Sequence, residues 1–83
     1  MINSPSVDKL KHELSKVFNI DESELSVDIR LKEDLVASSS QKFMLVALME
    51  EMTGKSITYA QVNRRKTIGA LFDYLDELEQ SSD

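Results

Sequence analysis

The sequence predicts a small all-α protein: a four-helix bundle with three longer helices, one short one, and a long ordered connection between the first and second. Three observations predict it. Apolar residues recur at helical spacing in two stretches and fill a third almost completely. Each stretch is bounded by residues that cap or stop helices. The one run that alternates apolar with polar residues has no second run to pair with, and a lone strand leaves its backbone groups unsatisfied. The chain has 83 residues, enough for a single domain over 1–83 with an ordered core over about 6–79.

The first helix is expected to start near Ser6, with Ser6 as its cap inside Ser4-Pro5-Ser6. Val7, Leu10, Leu14, Val17 and Phe18 form its apolar stripe, and Asn19 closes it. Asp21 followed by Glu24 suggests a short capped turn. Leu25, Val27, Ile29 and Leu31 then alternate with polar residues. With no partner run in sight, residues 25–37 are expected to form an extended loop that drops these side chains into the core.

The second helix should run from about Ser39 to Met52. Ser38 and Gln41 match the two side chains of a capping box, and Gly54 stands where a left-handed stop belongs. Phe43 to Met49 is apolar without a break, so this helix is either central or presents an apolar outer side to a partner. Thr58 and Gln61 repeat the box for a short helix over Tyr59–Asn63. Thr67 caps the last helix, whose stripe is Ile68, Leu71, Leu75 and Leu78, widened by Phe72. Gln80-Ser-Ser-Asp reads as a frayed tail.

Composition narrows the chemistry. A domain of this size buries only about 60–65% of the surface its unfolded chain exposes, so its core is thin. There is no cysteine, which excludes disulfides, thiolate zinc sites and a thiol nucleophile supplied by the chain. The single histidine, His12, is expected on a solvated helix face and cannot alone build a metal site or relay. A net charge of −5 argues against nucleic acid or an anionic membrane as partner. Arg64-Arg65-Lys66 is a local exception, expected to be a solvated helix end. No apolar run is long enough to span a bilayer and no secretory signal is readable, so a cytoplasmic monomer is expected.

Few motifs carry chemistry of their own. Gly54-Lys55-Ser56 ends like a phosphate-binding loop, but Met49 stands where its first glycine is required and a helix precedes it. The acids Glu33-Asp34 and Glu50-Glu51 are expected on a solvated, partner-facing surface rather than in an acid–base cleft. Ser39 has no base and no glycine-flanked elbow, so it is not a hydrolase nucleophile. It stands at the first position of a predicted helix, where free N–H groups and the macrodipole favour an attached anion. Ser38 is occupied as the cap, which leaves the Ser39 hydroxyl for solvent. A free-standing enzyme is not expected.

On these residues the chain resembles the acyl carrier proteins over about residues 7–78. That family carries Glu-Asp-Leu-Gly-x-Asp-Ser-Leu, and here Glu33-Asp34-Leu35 is followed four residues later by Ser39. Counting back from Met49-Glu50-Glu51-Met52-Thr53-Gly54 reaches the same serine. Arg65-Lys66-Thr67-Ile68-Gly69 stands for the family's Ile-Thr-Thr-Val-Gly, and Asp73-Tyr74-Leu75 for its Asp-Tyr-Ile. The resemblance implies a four-helix carrier fold. It also implies that a phosphopantetheinyl transferase attaches 4′-phosphopantetheine from coenzyme A to Ser39. The arm would carry acyl groups as thioesters to acyl-loading and acyl-transferring enzymes of fatty-acid, polyketide or related specialised biosynthesis.

The implied docking face comprises Ser38, Ser40, Phe43, Met44, Ala47, Glu50 and Glu51. The chain departs from the family pattern at four places. Ser38 replaces the aspartate, Ser40 the leucine and Val36 the glycine, while Met44 occupies an acidic position. These departures point to a specialised carrier with dedicated partners rather than the housekeeping fatty-acid carrier. A peptidyl or D-alanyl carrier, or an unmodified carrier-like interaction module, are the alternatives.

Overall fold

A computed structural model describes residues 5–80. Among the described residues the protein is all-helical, with four α-helices: α1 (Pro5–Phe18), α2 (Ser39–Thr53), α3 (Tyr59–Asn63) and α4 (Ile68–Gln80). A single 3-10 turn, Glu22–Glu24, lies in the long connection between α1 and α2. The tail beyond Gln80 lies outside the described residues, and Gln80 itself is helical.

Local chemistry sets most of the boundaries. α1 already includes Pro5, so Ser6 is its second residue and not its cap; proline suits a first turn because its missing N–H would have no helical acceptor there. α1 ends where Asn19 takes φ 56°, and the Ile20 N–H reaches back to the Ser15 carbonyl at 3.0 Å. That six-to-one bond is the Schellman closure. The Asp21 side chain makes no cap bond, contrary to expectation, so the 3-10 turn rests on its backbone alone. Both capping boxes at Ser38/Gln41 and Thr58/Gln61 are complete in both directions. Gly54 ends α2 at φ 72°, and the Thr67 hydroxyl accepts from the Ala70 N–H at 3.1 Å.

The helices surround one apolar core. Leu10 and Leu14 of α1, Leu45 and Met49 of α2, Val62 of α3, and Ile68, Leu71 and Leu75 of α4 are all fully buried. α2 contacts each of the other three helices, and α1 also packs on α4. No buried side-chain nitrogen or oxygen among the described residues lacks a hydrogen bond, so nothing polar in this thin core is left to destabilise it.

The connection over 25–37 departs from its expected form. Leu25 and Leu31 are buried and Ile29 half-buried, but Val27 is 56% exposed. Its backbone does have a partner: the segment leading into α4. Leu31 N–H donates to the Lys66 carbonyl, Ile68 N–H to Ile29 and Gly69 N–H to Val27, at 2.9–3.0 Å, around a single antiparallel bridge between Arg30 and Thr67. Two of the amides left orphaned at the start of α4 are thereby satisfied by the loop. Gly69 permits this approach, since a Cβ there would meet Val27 Cβ at 2.9 Å and its carbonyl oxygen at 3.1 Å.

Candidate functional site

The site centres on the first turn of α2, and its geometry follows from how neighbouring serines divide the work. Ser38 Oγ accepts from the Gln41 N–H at 3.1 Å, while the Gln41 side-chain oxygen accepts from the Ser38 N–H at 2.9 Å. Gln41 Nε2 also donates to the Val17 carbonyl at 3.3 Å, which ties this helix start to the end of α1. Ser39 and Ser40 are exposed. The Tyr59 OH lies 3.4 Å from the Ser39 hydroxyl, beyond the length of a good O–H···O bond. Ser39 thus stands exposed at the first residue of a fifteen-residue helix, with at most this long contact to its hydroxyl.

The approach to this serine is held in shape by its own hydrogen bonds. Asp34 Oδ2 accepts from the Arg30 N–H at 2.8 Å, and the Arg30 guanidinium lies 3.6 Å away. The backbone hydrogen bond and the cation together hold the Asp34 carboxyl below its usual value. Asp34 and Leu35 N–H groups return to the Arg30 carbonyl, and Ala37 N–H to Leu31. Val36 closes the turn at φ 50°, a left-handed conformation that a β-branched residue rarely adopts.

The remaining expected docking residues fall into two groups. Phe43 and Met44 are 58% and 51% exposed, with Ala47 exposed one turn on and Glu51 exposed near the end of α2. Phe43 packs on Tyr59 with ring centroids 4.6 Å apart. Glu50 differs: it is half-buried, and its Oε2 accepts from the Ile57 N–H at 2.8 Å. That carboxylate fastens the α2–α3 connection.

Other charged residues also have structural uses. Arg65 is not a solvated end: its guanidinium lies 4.1 Å over the buried Tyr74 ring and donates to the Gln61 carbonyl. Lys55, in the Gly-Lys-Ser stretch, reaches the Leu78 carbonyl on α4. His12 is exposed and its Nδ1 lies 2.6 Å from Glu22. Among the described residues no group of His, Asp and Glu is arranged to hold a metal, and no helix is long and apolar enough to cross a membrane.

Sequence reading missed Tyr59 as the neighbour of Ser39 and missed a groove beside it, lined by Lys32, Lys42, Arg65 and Lys66. Positions this far apart share no local pattern, so only the folded chain brings them together. No protein-family model matches this chain, and no curated protein matches it either.

Proposed function

We propose that this chain is a carrier protein that accepts 4′-phosphopantetheine on Ser39. The observation that carries the reading is the exposed Ser39 hydroxyl at the first residue of α2, left over after Ser38 has taken the cap. The site fits the group. A phosphodiester at Ser39 would sit at a helix N-terminus, where backbone dipoles favour an anion, with Lys42 one turn along. Val36 supports the resemblance from the backbone, since it holds a left-handed conformation where the family pattern has glycine.

Chemistry follows from what the chain lacks. With no cysteine and one exposed histidine, it has no nucleophile–base pair of its own. A phosphopantetheinyl transferase would supply the base that takes the Ser39 proton, and the diphosphate of coenzyme A would break to release adenosine 3′,5′-bisphosphate. The arm, once bound, supplies a thiol that carries acyl groups as thioesters. Partner enzymes would dock on the outer side of α2, where Phe43, Met44 and Ala47 are exposed, with Glu51 at the rim. In this reading the protein works in the cytoplasm and is not itself an enzyme.

Incubation with coenzyme A and a broad-specificity transferase, read by intact-protein mass, tests the assignment. Wild type should gain one phosphopantetheine and Ser39→Ala none. An unmodified wild type, or a modified Ser39→Ala, overturns it. A second reading, an unmodified interaction module, is favoured by Ser38 and Ser40 in place of the family residues and by the apolar Phe43–Met44 patch. It expects a pull-down to recover the same partners from wild type and Ser39→Ala.

A further inference from the structure

A groove of about 360 Å³ opens between the 31–37 loop, the first turns of α2 and α3, and the 63–66 segment at the end of α3. That is near the lower bound of volumes that hold small ligands, about 300–1,000 Å³. Four of the chain's ten cationic residues line it, Lys32, Lys42, Arg65 and Lys66, and no carboxylate among the described residues does. Such segregation is unexpected in a protein of net charge −5.

Two of the cations are held in place. Lys42 Nζ donates to Asn63 Oδ1 at 2.8 Å, and Arg65 is stacked on Tyr74. The ammonium groups of Lys32 and Lys66 have no ion-pair or hydrogen-bond partner among the described residues. Leu31, Ala37 and Tyr59 add apolar lining. Cations beside a few apolar side chains suit a short acyl chain that ends in an anion. The Tyr59 hydroxyl, 3.4 Å from Ser39 Oγ, places the groove beside the proposed attachment point.

We infer that this groove binds the carboxylate end of a small acyl ligand. Resting on the carrier reading, the ligand is the cargo tethered at Ser39, so the carried class is a short dicarboxylic acyl group rather than a plain alkanoyl chain. Lys32 and Lys66 draw the free carboxylate in, and Lys42 and Arg65 meet it with little reordering, which conserves affinity.

The test is a titration of the unmodified full-length protein with glutarate at low salt, followed by amide chemical shifts. Glutarate should shift the amides of Lys32, Lys42, Tyr59 and Lys66 saturably, and glutaramide, its neutral counterpart, should not. The double variant K32Q/K66Q removes two exposed charges and should weaken glutarate binding by about tenfold with its melting temperature unchanged. Absence of a saturable shift, an equal response to glutaramide, or undiminished affinity in the variant overturns the inference.

A second arm separates it from the carrier reading. Ser39 is loaded from glutaryl- or butanoyl-coenzyme A, with loading verified by mass. Both forms share the phosphodiester at Ser39, so the butanoyl form is the reference: relative to it, the glutaryl form should show the groove shifts, Lys32 and Lys66 included. If glutaryl loads but its groove amides match those of the butanoyl form, the groove assignment fails and the carrier reading stands. If Ser39 takes no arm while free glutarate still binds, the carrier reading fails and the carboxylate site stands.

Discussion

At the scale of single residues, the 30–41 segment divides its local work between neighbours. Ser38 is used for the cap, which frees Ser39. Val36 bears the cost of the turn before it. Left-handed backbone costs a side-chain-bearing residue about 1–2 kcal/mol, and Val36 is 75% exposed, so its side chain gives little packing in return. Val36→Gly should therefore stabilise the protein by up to about 1 kcal/mol, the strain relieved minus the extra freedom glycine gives the unfolded chain. Urea denaturation measures it, and a destabilised variant would show that the valine is not strained. Asp34 braces the same turn. Its folded carboxyl sits below the ordinary 3.8, lowered first by the Arg30 N–H, so the unfolded chain binds this proton more readily. The stabilisation is thus present above that ordinary value and is lost as pH falls through the folded one. Between about pH 5 and about pH 2, wild-type stability should fall more steeply than that of Asp34→Asn. Parallel curves would mean the carboxylate contributes nothing.

At the scale of elements, what was legible in the sequence was what neighbouring residues decide among themselves. The Ser38 and Thr58 boxes, the Gly54 stop and the Thr67 cap each lie within a few residues and are present, whereas the equally local caps expected at Ser6 and Asp21 are not. The loop over 25–37 was half legible. Its alternation marked Leu25 and Leu31 for the core, but pattern cannot show that Val27 would lend only its backbone, because the recipient, Gly69, lies at the other end of the chain. Sequence marked Ser39 as the start of α2, which it is, whereas Tyr59, Lys42 and the groove needed the fold. The clasp between loop and α4 yields its own prediction. Amides in the first turn of a helix usually exchange quickly, having no helical acceptor. Those of Ile68 and Gly69 should instead be protected, as their acceptors Ile29 and Val27 are fixed. Gly69→Ala should abolish that protection and destabilise by about 1–3 kcal/mol, since the added Cβ collides with the Val27 Cβ, which cannot swing away. Helix propensity acts the other way by up to about 1 kcal/mol and is smaller at a helix start. Full protection in the alanine variant would mean the contact is not tight.

At the scale of the whole molecule, a thin core means that interior and surface of α2 and α4 should answer mutation very differently. Proteins have about 0.05–0.15 kcal/mol of stability per residue, which for this length is about 4–12 kcal/mol in all. Leu71 and Leu75 are fully buried between helices, and truncating either to alanine should cost about 2–5 kcal/mol, a large share of that total. Met44 is 51% exposed on the outer side of α2, and its loss removes little buried surface. Met44→Glu should therefore leave the melting temperature nearly unchanged while altering affinity for whatever docks there, since it places a charge in the Phe43–Met44 apolar patch. Thermal melts of the three variants, beside binding to the partners recovered by pull-down, check both halves. A large fall in melting temperature for Met44→Glu would place that side chain in the interior. A change below about half a kcal/mol for Leu71→Ala would remove α4 from the core. The contrast holds because α2 is apolar nearly all round: one side, through Leu45 and Met49, is spent on the fold, and the other is left exposed.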